Sequence, residues 1–301
     1  MSRTVTVGLD GSPESRAAAE WAAREALLRG LPLKIVHVTE PAPVLLAQAP
    51  QVGPETSQRW IRPVAPGAAE GIRLRHPGLE VLTEQLTGPV TEALCEAADA
   101  AELLVLGSRG LGGIGGFVAG SVSLAVVSRA ARPVVLVREG EQAADEHRTD
   151  PAGVPSTATP YRPVVLGLDA DHPDDTLLEF AFDAAVRRGT PLRVVSAWPE
   201  TAASCYRFPG DAELQDDLER SHRTALAEAL RPWRQKFPGA DVIEASRCGS
   251  AARAVVDASH DASLAVVGRR IRTGSLGAHI GHVTHAALHH IGAPVAVVAH
   301  L

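Results

Sequence analysis

The sequence is poor in cysteine and has no excess of basic charge. Its three cysteines, Cys95, Cys205 and Cys248, are an odd number without a CxxC spacing, which indicates a reducing compartment, the cytoplasm. The 29 Lys and Arg residues stand against 35 Asp and Glu residues, so nothing predicts nucleic acid as a partner. No uncharged apolar run approaches the roughly 18–20 residues that cross a bilayer. The first residues read as a strand rather than an apolar leader, so no membrane is expected.

Lysine is also scarce, and this scarcity excludes one phosphate motif. Lys34 and Lys236 are the only lysines, and neither follows a glycine as the pattern GxxxxGK[ST] requires. Walker-type hydrolysis of a nucleotide is therefore not expected.

What the sequence does contain is an internal repeat. Its 301 residues, 45% of them apolar and 21% charged, suit two globular domains. Five blocks recur in one order, for example RTVTVGLD at 3–10 and RPVVLGLD at 162–169, an offset of 159 residues. We predict domains at 1–140 and 160–301, joined by the polar, Pro-rich stretch around 139–160.

Within each copy, short Val, Leu and Ile runs alternate with longer amphipathic stretches, as in a parallel sheet covered by helices. The first copy is predicted to hold strands near 4–9, 33–38, 79–85, 102–106 and 133–137, and helices near 13–29, 56–74, 90–99 and 121–131. Each half is therefore predicted as an α/β domain with a doubly wound, five-stranded parallel sheet. Such sheets bind ligands at the carboxyl ends of their strands, near the reversal of strand order.

Three features of the first copy meet at that edge. Asp10 ends the first strand, a glycine-rich loop runs from Gly107 to Gly120, and Ser121 and Ser123 open the last helix. Glycines let backbone amides approach an anion closely, because no Cβ intervenes and positive φ is accessible. The serines place hydroxyls beside the free amides and the positive dipole end of the helix. These features predict a phosphate site; the alternative is a flexible loop with Ser121 as an N-cap only.

The dinucleotide-binding string GxGxxG also occurs in this loop, at 110–115. In a dinucleotide-binding fold the strand, the turn and the helix are contiguous. Here residues 107–109 separate the string from the strand, and the helix signal starts only at Gly120. We therefore interpret this match as an accident of composition.

The spacing G-x2-G-x9-G-[ST], with an aspartate after the first strand, resembles the ATP-binding branch of the universal stress protein family. The resemblance covers nearly the whole chain and implies two tandem domains with a Rossmann-like fold of the adenine nucleotide alpha hydrolase class. It implies that adenine and ribose lie at Asp10 and the backbone of Val38. The remaining implied contacts are a pocket lining at Leu106 and Gly107, and phosphate contacts at Gly110, Gly120, Ser121, Val122 and Ser123. Arg109 stands where many members carry His, and its fixed charge adds a phosphate contact.

The resemblance further implies ATP as the ligand, with Mg²⁺, and dimerisation through the last strands. In a tandem chain, residues 133–137 and 294–298 are expected to pair as an intramolecular pseudo-dimer, with a homodimer as the alternative. We expect a stress-response regulator in which ATP occupancy tunes assembly or the binding of unidentified protein partners. The alternatives are a slow adenine-nucleotide hydrolase and an interaction module that needs no nucleotide. No Ser-His-Asp spacing or paired carboxylates indicate a catalytic residue.

The second copy departs from the glycine pattern. Asp169 and Gly268 are kept, but Ile271 replaces the second glycine and His282 replaces the serine. Because a β-branched residue resists positive φ, the second copy is expected to bind ATP weakly or not at all.

Histidines crowd the end of the second copy, at His279, His282, His285, His289 and His290. Helical spacing puts most of them on one face, which admits a metal site or a pH sensor. Because no carboxylate or cysteine is close in sequence, a surface or interface role is the preferred interpretation.

Overall fold

The structure is a computed structural model that describes residues 3–40, 64–108, 120–198, 211–271 and 280–301. The chain divides into two compact units, of which unit 1 ends at Gly140 and unit 2 begins at Glu141. Strands and helices alternate through both units, so the prediction of an α/β fold is confirmed.

Unit 1 follows the predicted order of elements closely. Its elements are β1 (Val5–Gly8), α1 (Pro13–Arg29), β2 (Leu33–Thr39), α2 (Val64–Arg75), β3 (Val81–Thr87), α3 (Val90–Asp99), β4 (Leu103–Ser108), α4 (Ser121–Arg129) and β5 (Val134–Arg138). The predicted helix near 56–74 is described only from Val64, because residues 41–63 lie outside the described part of the chain.

Unit 2 repeats this order after a 3-10 turn at Ala143–Glu146. Its elements are β6 (Val164–Gly167), α5 (Asp175–Arg188), β7 (Leu192–Trp198), α6 (Asp211–Lys236), β8 (Val242–Cys248), α7 (Ala251–Ala258), β9 (Leu264–Arg270), α8 (His282–His290) and β10 (Val295–His300).

Both units have the strand order of a doubly wound sheet. In unit 1 the order is β3-β2-β1-β4-β5, and every pairing is parallel. Unit 2 has the equivalent order β8-β7-β6-β9-β10, also parallel throughout. The strand order reverses between β1 and β4 and between β6 and β9, which places a crevice at the carboxyl ends of these strands.

Local signals fix the ends of α1. The hydroxyl of Ser12 accepts a hydrogen bond from the Ser15 amide at 3.2 Å, and Pro13 occupies the first turn, both typical of a helix start. Gly30 ends the helix in the left-handed conformation, with φ of 62°, which glycine adopts without strain.

The stretch predicted as a linker is folded in unit 2. The carboxylate of Asp150 accepts hydrogen bonds from the amides of Ala152 and Val154, both at 2.9 Å, and closes a turn. The ring of His147 packs on Tyr161 at 4.0 Å between centroids. These contacts are made by turns and single side chains rather than by an apolar repeat, so hydrophobic periodicity gave no signal here.

The carboxyl end of β4 lies against the first turn of α1. A Cβ added to Gly107 would lie 2.6 Å from the carbonyl carbon of Glu14 and 2.7 Å from the amide nitrogen of Ser15. At Gly268, the counterpart on β9, an added Cβ would meet the His300 ring at 2.8 Å. A side chain can rotate away from such a contact, whereas the backbone of a helix cannot.

We expect Gly107→Ala to destabilise the protein by about 1–3 kcal/mol, the usual cost of overpacking. Gly268→Ala is the matched control and is expected to cost clearly less. Urea unfolding of the two variants measures the difference, and equal losses of stability would contradict this account of Gly107.

An ion-pair cluster joins α2 to α1 on the outside of unit 1. Arg75 donates through Nε to the carboxylate of Glu20 at 2.9 Å, and the ring Nε2 of His76 lies 3.2 Å from the other carboxylate oxygen. Burial raises the pKa of Glu20, but the hydrogen bonds from Arg75 and His76 outweigh it and lower the pKa below its usual value. The ionised carboxylate therefore contributes to the stability of the folded state at neutral pH.

We expect Glu20→Gln to lower the free energy of unfolding at pH 7 by up to about 1 kcal/mol, since the cluster is only partly buried and solvent screens its charges. Because the pKa is lowered on folding, this contribution is complete above the unfolded-state value of about 4.3 and disappears as the pH falls through the folded-state value. Urea unfolding at pH 7 and pH 3 measures the change. A difference at pH 3 as large as that at pH 7 would argue against the ionic origin.

Candidate functional site

A cavity of about 340 Å³ opens at the carboxyl ends of β1 and β4 in unit 1. Its position is the crevice that the reversal of strand order creates. It is lined by Gly8, Leu9, Asp10, Ser12, Glu14, Ser15, Val36, Val38, Val90, Leu94, Leu106, Gly107, Gly120, Ser121, Val122 and Ser123.

Asp10 supplies a carboxylate to this cavity. Its Oδ1 accepts a hydrogen bond from the Ser12 amide at 2.9 Å, and Gly11 makes the turn between them with φ of 87°. Partial burial raises the pKa of Asp10, but hydrogen bonds from Ser12 and Ser15 outweigh it and hold the pKa below its usual value. Asp10 is therefore ionised at neutral pH and accepts hydrogen bonds from hydroxyl or amino groups.

The N-terminus of α4 supplies the opposite polarity. Gly120 is the N-cap and makes no side-chain capping bond, and the first-turn residues Ser121, Val122 and Ser123 all line the cavity. Uncapped first-turn amides carry the positive end of the helix dipole, which favours an anion.

Ser123 makes a contact within the protein as well as lining the cavity. Its side chain is buried, and its Oγ donates a hydrogen bond to the carbonyl oxygen of Gly107 at 3.0 Å. The hydroxyl proton is thus used to join α4 to the end of β4. Ser121 lies at an exposed position at the mouth of the cavity.

Apolar side chains from β2, α3 and β4 form the remaining wall. Val36 and Val38 come from β2, Val90 and Leu94 from α3, and Leu106 from β4. The Val36 carbonyl accepts a hydrogen bond from the Leu9 amide at 2.9 Å, so β1 and β2 stay paired up to the cavity. Such a surface suits a flat apolar group rather than a charged one.

The structure brings together eight of the predicted site residues at this cavity, namely Asp10, Val38, Leu106, Gly107, Gly120, Ser121, Val122 and Ser123. Arg109 and Gly110 lie outside the described residues. Neither Gly107 nor Gly120 uses the positive φ that is accessible to glycine. Gly120 has φ of −57°, and at Gly107 the missing Cβ allows close packing against α1. The sequence analysis missed Glu14, Val90 and Leu94, because only the packing of α1 and α3 brings them to this edge.

Unit 2 has a cavity of about 530 Å³ at the equivalent place. The Asp171 amide donates to Oδ1 of Asp169 at 3.1 Å, as Ser12 does to Asp10. The hydroxyl of Thr284 donates to the Gly268 carbonyl at 2.7 Å, as Ser123 does to Gly107. The two cavities therefore share these two internal contacts.

The described histidines of α8 lie close together but are not part of a cluster of three metal ligands. His285 and His289 lie with their ring centroids 4.2 Å apart on α8, while His279 lies outside the described residues. Within the described ranges, no three His, Cys, Asp or Glu side chains are close enough together to hold a metal ion. Among the helices described, none has the length and apolar character needed to span a bilayer.

Comparison with known proteins gives one consistent result. A universal stress protein of Mycobacterium tuberculosis strain H37Rv is 33% identical over 302 residues, covering 97% of this chain and 96% of the relative. One from Mycolicibacterium smegmatis is 30% identical over 300 residues, covering 98% and 96%. The crystal structure of a universal stress protein from Archaeoglobus fulgidus has a TM-score of 0.68 at 15% identity and covers 99% of both chains.

Shorter solved structures of this family include one described as a complex with cAMP and one from Archaeoglobus fulgidus as a complex with dAMP. Their TM-scores are 0.34 and 0.33, a likeness too low to transfer a ligand to this chain.

The sequence model of the universal stress protein family matches this chain twice, at residues 1–138 and 160–299. These matches cover most of the chain; the first contains every residue that lines the cavity of unit 1, and the second contains all but His300 of those that line the cavity of unit 2. The chain therefore belongs to the universal stress protein family and carries two of its domains in tandem.

Proposed function

We propose that this protein binds ATP in the cavity of unit 1 and acts as a stress-response regulator whose assembly or partner binding depends on that occupancy. The observation that carries the proposal is the pairing, in one cavity, of the ionised Asp10 carboxylate with the uncapped N-terminus of α4. An adenine nucleotide presents the complementary set of groups: a flat base, ribose hydroxyl donors and an anionic phosphate chain.

The geometry supports one arrangement of the nucleotide. The base packs on the wall of Val38, Val90 and Leu94, and the ribose hydroxyls donate to Asp10. The phosphates lie at the first-turn amides of α4, away from the Asp10 charge that would repel them. Arg109 and Gly110, which precede α4 in the sequence, are proposed to complete the phosphate contacts, and Mg²⁺ neutralises part of the phosphate charge.

A regulator is favoured over a hydrolase because the cavity offers little for catalysis. Asp10 and Glu14 are the acidic side chains among its described lining residues. A lowered pKa makes Asp10 a weak proton acceptor, whereas a general base works best with a pKa near the operating pH. Regulation then requires that ATP bind two states of the protein with different affinities.

Replacing Asp10 is the direct test of the ribose contact. We expect Asp10→Ala to weaken ATP binding by about tenfold to a hundredfold, the range for hydrogen bonds to a charged acceptor. Asp169→Ala, the same change in unit 2, is the matched control and is expected to leave this affinity unchanged. Isothermal titration calorimetry measures both, and an unaltered affinity in Asp10→Ala would refute the site.

Capping α4 tests the phosphate contact. We expect Gly120→Asp to stabilise the helix by a few tenths of a kcal/mol, because an aspartate N-cap accepts a hydrogen bond from a first-turn amide. The same carboxylate removes that amide from the ligand and repels phosphate, so ATP affinity is expected to fall at least about tenfold. Gly281→Asp caps α8 of unit 2 and serves as the control. Wild-type ATP affinity in Gly120→Asp would exclude α4 as the phosphate site.

Turnover and assembly separate the proposed regulator from its alternatives. Purified protein is incubated with ATP and Mg²⁺, and ADP release and molecular mass are followed together. Stoichiometric binding without ADP release, accompanied by a change in mass or partner capture, supports a regulator. Steady ADP release supports the hydrolase, and no ATP binding leaves the interaction module.

A further inference from the structure

A groove of about 550 Å³ lies between β7, β8 and α7 of unit 2. This volume falls in the range of small-molecule sites. Of the residues that line it, Val195 alone also lines the described wall of the cavity at the carboxyl edge of the same unit, so the groove is a separate space. The apolar part of its lining consists of small side chains, namely Val195, Ala245, Ala254 and Ala258.

The charged part of this lining is basic, although the chain as a whole carries a net charge of −6. Arg193 of β7, Arg247 of β8 and Arg253 of α7 line the groove, and Asp257 is the one acidic residue of its described lining. Asp257 lies 3.5 Å from Arg253, and both side chains are largely exposed, so this pairing neutralises the arginine only weakly. The groove therefore presents an excess of positive charge.

The equivalent face of unit 1 has the opposite charge. In place of Arg193, Ala245, Arg247, Arg253 and Asp257, the repeat has Lys34, Glu84, Leu86, Glu92 and Glu96. One lysine there stands against three glutamates, and Lys34 pairs with Glu84 across β2 and β3. Because Ala245 is half-buried and Arg247 is exposed, core packing does not require this reversal of charge, whereas an anionic ligand accounts for it.

Arg193 is held in position by the protein itself. Its two terminal nitrogens donate to the Asp261 carboxylate at 2.7 and 3.3 Å, and one of them also donates to the Ala258 carbonyl at 2.8 Å. These bonds use three of the five N–H donors of a guanidinium group. Two donors therefore remain on a side chain whose rotation is already restricted, which reduces the entropy lost when a ligand binds.

Arg247 supplies positive charge further along the groove. It is exposed, and within the described ranges it has no hydrogen-bond or ion-pair partner. Arg193 is in register with Ile243, four residues before Arg247, which corresponds to roughly 13 Å along the sheet. A guanidinium group binds a carboxylate or a phosphate through two parallel hydrogen bonds. A ligand that uses both arginines therefore needs two acidic groups that lie apart.

We propose that this groove binds a small elongated molecule with an acidic group, carboxylate or phosphate, at each end and an apolar middle. One acidic group binds Arg193, and the other binds Arg247 and Arg253. The apolar middle packs on Ala245 and Ala254. This site goes beyond the proposed function, because it takes a different class of ligand and needs no nucleotide in unit 1.

The test titrates suberate, a linear dicarboxylate, into the full chain by calorimetry. We expect suberate to bind at least about tenfold more tightly than octanoate, the monocarboxylate of the same chain length, because a second charge-assisted contact is made. Added salt is expected to weaken the binding, since it screens partly exposed charges. The linear bisphosphonate of the same chain length is the second arm, and the tighter of the two ligands identifies the preferred acidic group.

Two variants install the residue of unit 1 in the groove. Arg247→Leu removes a positive charge, and Ala245→Glu adds a carboxylate that competes for the arginines. Each is expected to weaken suberate binding at least about tenfold. Arg129→Leu is the matched control, because it removes an exposed arginine of α4 in unit 1, and it is expected to leave suberate affinity unchanged.

Three results would overturn the proposal. They are no binding of suberate or of the bisphosphonate to the wild-type protein, equal affinities for suberate and octanoate, and an unchanged affinity after Arg247→Leu and Ala245→Glu. ATP binding is measured in a separate titration of the wild-type protein. Its absence would count against the proposed function and not against this groove.

Discussion

The close contact between the end of β4 and the first turn of α1 is the constraint on which the unit 1 cavity depends. Gly107 allows the strand to reach the backbone of Glu14 and Ser15, and its carbonyl receives the Ser123 hydroxyl from α4. One residue thus positions two helix N-termini at the same sheet edge. The Asp10 turn and the α4 amides face one cavity because both elements are fixed to this strand end.

Unit 2 keeps the contact between its strand end and its last helix, but it changes the contact with its first helix. The bond from Thr284 to the Gly268 carbonyl preserves the position of α8, but the helix that follows β6 begins a turn later. The sheet and its last helix thus hold their positions while the side facing α5 opens. A duplicated domain can change the shape of its cavity in this way without a change in topology.

The sequence predicted the fold well because the buried strands and the helix caps are local signals. The continuous apolar strands, the Ser12 cap and the Gly30 end are all found where the pattern put them. The positions of Asp10 and of the start of α4 could also be predicted. Asp10 follows the first predicted strand, and the last predicted helix begins directly after Gly120.

Other features depended on contacts between distant segments and could not be read from spacing. The packing role of Gly107 requires the position of Glu14, and the use of the Ser123 hydroxyl requires the Gly107 carbonyl. The apolar wall from α3 and the later start of α5 arise in the same way. Composition alone suggested a linker at 139–160, where side chains such as Asp150 instead close turns.

That folded connection has a structural role at the start of unit 2. Arg162, just before β6, donates to the His147 carbonyl at 2.8 Å, and its amide bonds the Glu146 carbonyl at 2.9 Å. The start of β6 is therefore tethered by residues of this connection. A C-terminal half expressed from residue 160 would lack these hydrogen bonds. To separate the two halves with these bonds intact, the chain has to be divided near residue 140.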